Sequence, residues 1–255
     1  MTEAEQTRAG FAAVIGAPNA GKSTLVNRLV GAKVSIVTQK VQTTRMPVRG
    51  VAMAGNAQIV LVDTPGIFTP RRRLDRAMVR SAWSGAEEAD VVVHLVDVQA
   101  ELGVADGTAK PADRRAVEDV KTIIEGLKAA GAKVILALNK IDGVRRERLL
   151  EVTRRLFDTG VYSEVFMISA RDGAGVEDLR ARLAQMMPPG PWLYPEEQTA
   201  DVPVRLLAAE ITREKIYDRL HEELPYRSTV ETDQWQARPD GSVRIEQTIF
   251  VERES

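Results

Sequence analysis

The 255-residue chain has no cysteine, which excludes disulfide scaffolds, thiolate zinc sites, iron–sulfur clusters and cysteine nucleophiles together. Aromatic residues make up only 5%, and the three tryptophans, Trp83, Trp192 and Trp235, are far apart in sequence, so no base-stacking platform is implied. Neither sign of charge dominates: 35 Lys+Arg face 36 Asp+Glu, a net −1, and the overall balance points to no nucleic-acid partner. No apolar run approaches the ~18 residues of a membrane span. The start, MTEAEQTRAG, lacks the basic region and apolar core of a signal peptide, so a cytoplasmic protein is expected. What remains, 44% hydrophobic and 28% charged residues, is an ordinary globular composition, enough for one large or two modest domains.

From Gly10 to about Met187, short β-branched apolar runs alternate with longer charged segments of helical character. That is the rhythm of βαβ units, and it predicts an α/β fold with a mainly parallel sheet flanked by helices. Strands are expected over Phe11–Ile15, Val48–Met53, Gln58–Val62, Val91–Val96, Val134–Leu138 and Val165–Ile168. Helices are expected over Gly21–Val30, Ala112–Ala129, Arg145–Asp158 and Val176–Met187. The proline-rich stretch Pro188–Pro195 stops helix and strand alike and reads as a linker. Beyond it, a helix from about Val204 to Glu223 precedes two strand-like stretches joined by the turn Arg238-Pro239-Asp240-Gly241-Ser242. The domains are then 1–187, a linker at 188–195 and a smaller α+β unit at 196–255.

Gly16-Ala17-Pro18-Asn19-Ala20-Gly21-Lys22-Ser23 fits G-x-x-x-x-G-K-[ST] between a strand and a helix, the context the motif requires. Its backbone N–H groups can cradle phosphates, Lys22 can reach the same oxygens, and Ser23, followed by Thr24, offers a hydroxyl to Mg²⁺ at the positive end of the helix. The loop alone does not choose between ATP and GTP. Asn139-Lys140-Ile141-Asp142, at the end of a later strand, makes that choice. A carboxylate at Asp142 can accept from the two guanine donors, whereas adenine would leave it unpaired. Asn139 can brace base and phosphate loop, the stem of Lys140 can cover the ring, and Ser169-Ala170 fits a third base-contacting loop.

Asp63-Thr64-Pro65-Gly66 ends another strand. The carboxylate can hold Mg²⁺ through water, and Gly66 lets its N–H approach a γ-phosphate. Gln42-Thr43-Thr44-Arg45 supplies hydroxyls for the metal, Thr44 favoured and Thr43 the alternative. The catalytic set is Lys22, Thr44 and Gly66; the metal ligands are Ser23, Thr44 and Asp63. Arg71-Arg72-Arg73 reads as a solvated face and His94 as a core residue.

These motifs resemble translation-factor-class GTPases, with one departure. The residue after Gly66 is Ile67, where Ras-like enzymes carry the glutamine that orients the attacking water. Even Ras alone turns over at only about 10⁻⁴ to 10⁻³ s⁻¹, so slow basal hydrolysis is expected. Asn19 stands where GTPases without that glutamine use an asparagine to coordinate K⁺. An ATP-dependent kinase or ATPase is the first alternative, opposed by Asp142. A module that holds GTP without hydrolysing it is the second, kept open by Ile67.

The whole chain resembles the Era family of bacterial ribosome-assembly GTPases. Beyond the nucleotide motifs, the resemblance rests on Ala209–Ile216, Glu223-Leu224-Pro225-Tyr226 and Val251-Glu252-Arg253-Glu254. The single nucleotide-binding domain and the absent cysteine argue against tandem-domain and tRNA-modifying relatives. The resemblance implies a C-terminal KH domain, small-subunit ribosomal RNA and the 30S subunit as partners, and peripheral association with the inner face of the membrane. No amphipathic segment supports the last independently.

Where the family continues into the G-x-x-G loop that clamps RNA, this sequence stops, so 196–255 is expected to be a partial KH-like unit. Residues 196–255 carry 8 Lys+Arg and 14 Asp+Glu, a net −6, leaving 27 and 22, a net +5, for 1–195. An acidic unit without a clamp is a poor RNA binder. The 255-residue chain is therefore expected to bind the 3′ end of small-subunit rRNA weakly or without specificity. Submicromolar, sequence-specific retention in a filter-binding titration would contradict this.

Overall fold

The computed structural model describes residues 6–38, 43–70, 73–220 and 228–251; Gln42, Arg71, Arg72, Glu223–Tyr226 and Glu252–Glu254 lie outside these. Six strands form one sheet: β1 (Arg8–Gly16), β2 (Val48–Ala54), β3 (Ala57–Asp63), β4 (Val91–Asp97), β5 (Val134–Asn139) and β6 (Tyr162–Met167), in the order β2-β3-β1-β4-β5-β6. All neighbours are parallel except β2, which pairs antiparallel with β3.

Both faces of the sheet are apolar, and the side-chain alternation of the strands divides them. Val91, Val93 and Leu95 of β4, with Ile135 and Ala137 of β5, join one core under α1 (Lys22–Val30) and α6 (Val176–Met186). Val96 of β4, with Val134, Leu136 and Leu138 of β5, joins the other, under α2 (Arg73–Glu87), α4 (Pro111–Ala129) and α5 (Arg146–Phe157). Near-continuous apolar runs are what a parallel sheet covered on both sides requires.

Two helices escape the sequence reading. α2 contributes only Met78 and Ala82 as buried apolar residues, too few to mark it against a charged background. The short α3 (Val98–Ala105) starts on Asp97, whose carboxylate accepts from the N–H groups of Gln99 and Ala100.

The stretch 188–195 carries neither helix nor long strand, yet it is fastened to the sheet. Ala9 N–H donates to Pro188 O (3.1 Å) and Gly190 N–H to Thr7 O (2.9 Å). The fully buried amide of Gln58 accepts from the N–H groups of Leu193 and Tyr194 and donates to Tyr194 O. Val51 N–H then donates to Thr199 O and Asp201 N–H to Arg49 O, so the chain covers the outer edge of β2 that would otherwise expose unpaired backbone groups.

α7 (Val204–Arg219) follows, with Leu220 already extended; residues 221–223 of the expected helix lie outside the described residues. β7 (Ser228–Ala237) and β8 (Val243–Val251) form an antiparallel hairpin, and Ala209, Ile216 and Val230 make a small second core. Among the described residues no helix is long and apolar enough to cross a membrane.

His94 is wholly buried in β4, its Nδ1 2.8 Å from the Tyr162 hydroxyl. Burial, reinforced by the charge of Lys22, pushes its pKa down to about 3. The unfolded chain thus binds a proton that the folded chain refuses. This histidine's contribution is intact above about pH 6.5 and is lost at up to ~1.4 kcal/mol per pH unit towards pH 3. His94→Gln should flatten the decline of stability between pH 6.5 and 4, measured by urea unfolding. Parallel profiles for the two proteins would contradict it.

Candidate functional site

Parallel register brings the C-terminal ends of the strands to one edge. Asp63 of β3 lies opposite Val14 of β1, Gly16 opposite Leu95 of β4, and Asp97 opposite Asn139 of β5. In open α/β sheets this edge is where ligands bind. The loops holding the sequence-selected residues all leave from it.

The first loop runs from Gly16 into α1, which begins at Lys22. Gly21 is left-handed (φ 102), and a Cβ there would collide with the Asn139 amide. Asn19 is also left-handed (φ 61), a conformation asparagine tolerates better than most residues. Lys22 is only 7% exposed, and its Nζ donates to Gly16 O (3.2 Å) and Ala17 O (2.9 Å). Burial lowers its pKa to about 8, against the opposing pull of Asp63 and Asp119.

Three oxygen-bearing side chains from three segments converge beside this lysine. Ser23 Oγ lies 3.0 Å from Thr44 Oγ1, which donates to Asp63 Oδ2 at 3.3 Å. Asp63 is wholly buried, and its Oδ1 has no hydrogen-bond partner. Burial raises its pKa, resisted by the Ser23 hydroxyl and the charge of Lys22. An orphaned carboxylate oxygen beside two hydroxyls is an all-oxygen donor set that suits a hard cation such as Mg²⁺. Thr43 points elsewhere, its hydroxyl 2.8 Å from that of Thr38.

The loop after β3 folds back over the first. Thr64 Oγ1 donates to Val14 O (2.8 Å), holding the loop on β1, and Ile67 N–H donates to Gly16 O (3.1 Å). Gly66 packs so closely that a Cβ would sit 3.0 Å from the Pro18 ring. Ile67 itself is 1% exposed in the core beneath α2, α4 and α5, so its side chain has no access to water.

The base-side loops are tied together. Asn139 Nδ2 donates to Ala20 O (2.7 Å), and its Oδ1 accepts from Ala170 N–H (2.9 Å). Asp142 accepts from Ser169 Oγ and from Arg171 Nη2, both at 3.0 Å. Lys140 is left-handed (φ 65) and ion-paired with Asp97, while Gln99 Nε2 donates to the carbonyls of Lys140 (3.0 Å) and Asp142 (3.2 Å). A non-glycine residue held there is a strained point of the kind that gathers at functional loops.

Asp97, Gln99 and Arg171 are additions to the residues selected from sequence. Asp97 carried a readable signal, an acid closing an apolar strand. Gln99 and Arg171 carried none, because their partners lie in other loops.

A nucleotide-shaped edge with a G-x-x-x-x-G-K-S loop, a D-x-x-G loop and an N-K-x-D loop defines a P-loop GTPase. The family described as 50S ribosome-binding GTPase matches residues 11–140. GTPase Era of Caulobacter vibrioides (strain NA1000 / CB15N) is 75% identical over 249 residues, covering 98% of this chain and 79% of that protein. GTPase Era of Maricaulis maris is 62% identical over 248 residues, 97% of this chain and 79% of that one. Among solved structures, Era in complex with MgGDPNP and nucleotides 1506–1542 of 16S ribosomal RNA superposes with a TM-score of 0.84 at 36% identity, covering 97% of this chain and 80% of that one. The chain belongs to the Era family of GTPases, P-loop enzymes that convert GTP to GDP and phosphate.

A carboxylate at Asp142 offers two acceptor oxygens, which the paired donors of guanine would match. Asp142→Asn should weaken GTP binding and favour xanthosine triphosphate, whose extra carbonyl accepts from the new amide. Competition of GTP, ATP and xanthosine triphosphate against a labelled guanine nucleotide reads this directly. Unchanged GTP preference in the variant would remove Asp142 from base recognition.

Proposed function

We propose that the protein is a slow GTP-hydrolysing switch working in small-subunit ribosome maturation. The observation that supports this most is the meeting of Ser23, Thr44 and Asp63, oxygen ligands from three separate segments, beside Lys22. The nucleotide's phosphates lie along Gly16–Ser23, with Thr24 at the start of α1, and its base lies among Asn139, Lys140, Asp142, Ser169 and Ala170.

In this reading Lys22 leaves the carbonyls of Gly16 and Ala17 for phosphate oxygens, whose charge raises its pKa from about 8 and keeps it cationic. Ser23, Thr44 and Asp63 hold Mg²⁺, which supplies charge neutralisation to the transferred phosphoryl group. Asp63 is then ionised, the ion reversing the effect of burial. The Gly66 N–H faces the γ-phosphate, with Thr64 and Pro65 setting the loop's path. Thr44 senses the γ-phosphate through its hydroxyl, which would also join the metal.

Nothing at Ile67 can orient water, so the chemistry rests on electrostatics and positioning alone. Asn19, at the outer rim of the phosphate loop, is proposed to take K⁺, a charge that stands in for an arginine finger. Small-subunit rRNA is the proposed partner, since the solved relative at 36% identity is seen with a 16S fragment. The cytoplasm is the proposed place of action.

The burial of Ile67 equally favours a second reading, a module that holds GTP without cleaving it. Single-turnover release of phosphate separates the two. Release on the order of 10⁻⁴ to 10⁻³ s⁻¹ is expected, faster in KCl than in NaCl and abolished by Lys22→Ala. Equal rates in the two salts would dismiss the K⁺ role, and release no faster than for Lys22→Ala would leave only the binding module.

A further inference from the structure

The segment carrying Thr44 is held from outside the nucleotide-binding domain. Arg213, on α7, donates from Nη2 to the carbonyl of Thr43 at 2.6 Å. Arg45 donates from Nη2 to the Tyr217 hydroxyl (3.1 Å), one turn further along the same helix, and from Nη1 to Ser228 O (3.2 Å). The residues on either side of Thr44 are therefore both bound to the second unit. Upstream, Glu214 accepts from Val37 N–H (3.0 Å) and pairs with Lys33 (2.6 Å).

These α7 side chains are not surface contacts. Arg213, Glu214 and Tyr217 are 2%, 3% and 1% exposed. The Arg213 guanidinium lies over the Tyr217 ring, 5.4 Å from its centre, and is ion-paired with Glu210. Its Nη1 is buried without an acceptor. Burying an arginine with one donor unmet is a cost that packing alone does not require. The carbonyl of Thr43 is what that arginine reaches outside its own helix.

We infer that Arg213 and Tyr217 are positioning residues for the hydrolytic site: by fixing the backbone on both sides of Thr44, they hold its hydroxyl against Ser23 and Asp63. Ordering three consecutive residues costs conformational entropy, and Thr44 gains its place only if something outside the loop offsets that cost. The hydrogen bonds at Thr43 and Arg45 do so without touching nucleotide or metal. This rests on Thr44 being a metal ligand as proposed above. It adds that the second unit contributes to how tightly Mg²⁺ is held in the GTP state, while GDP binding through the phosphate and base loops is untouched by it.

The test titrates Mg²⁺ against GTP hydrolysis for the whole chain and its variants, alongside GDP affinity in EDTA. Arg213→Gln, which loses the charged donor, should raise the half-saturating Mg²⁺ concentration about tenfold, with GDP affinity in EDTA within about twofold of wild type. Arg213→Lys, which keeps a charged donor, should recover part of the loss. If Arg213 acts through Thr44, the double variant with Thr44→Ala should be no worse than Thr44→Ala alone.

A wild-type Mg²⁺ requirement in Arg213→Gln, or effects that add to those of Thr44→Ala, would overturn the inference. Should Arg213→Gln fail to fold, Tyr217→Phe removes only the hydroxyl that Arg45 reaches. It should raise the Mg²⁺ requirement about threefold, and no change would be equally fatal. A wild-type protein with no Mg²⁺-dependent hydrolysis would sink the functional reading itself and this inference with it.

Discussion

The Asn139 side chain is the constraint on which the site depends. A single amide donates to the phosphate loop at Ala20 and accepts from the base loop at Ala170, joining two segments 150 residues apart in sequence. Both groups are buried, so leaving either unmet would cost roughly 1 to 3 kcal/mol. The same amide explains why position 21 has no side chain: its left-handed backbone is pressed against Asn139, and only glycine combines that φ with that approach. The proposed phosphate cradle and base pocket are thereby fixed in relative position. Preorganisation of this kind lowers the ordering cost of binding.

Around that centre two further loops have anchors of their own. The D-x-x-G loop is anchored by the Thr64 hydroxyl on β1 and by Ile67 N–H on Gly16. Thr44 meets Ser23 and Asp63 through its own hydroxyl, and its neighbours Thr43 and Arg45 are bound to the second unit. In the proposed reading such a division suits a switch, because loops anchored apart from the binding frame let a γ-phosphate bias their position without disturbing the base. Ile67 then has a structural meaning besides a catalytic one. Buried in the core beneath α2, α4 and α5, it ties the loop to the sheet at the expense of a water-orienting group.

Much of this was legible in the sequence, for a physical reason. Motifs at strand ends can be read because parallel register carries Gly16, Asp63 and Asn139 to one edge, and because sheets covered on both faces produce apolar runs such as Val134–Leu138. α2 was missed because two buried apolar residues cannot signal over a charged helix, and α3 because eight residues are too few for a period to show. The fastening of 188–195 depends on Gln58, a polar residue in an apolar strand whose partners lie some 135 residues away, which no local pattern encodes. Thr44, favoured over Thr43 from sequence, is the residue facing Ser23, whereas the grip of Arg213 on Thr43 is a product of tertiary contact that no local pattern encodes.

Asn139 is the joint between the two halves of the proposed nucleotide site. The most direct measurement is the equilibrium affinity of Asn139→Ala for GDP and for a non-hydrolysable GTP analogue, in Mg²⁺ and in EDTA. Losing two buried hydrogen bonds should weaken both nucleotides about a hundredfold, to a similar extent with and without the metal. Wild-type affinity for GDP in EDTA would contradict it, since the two loops would then hold their places without the amide that joins them.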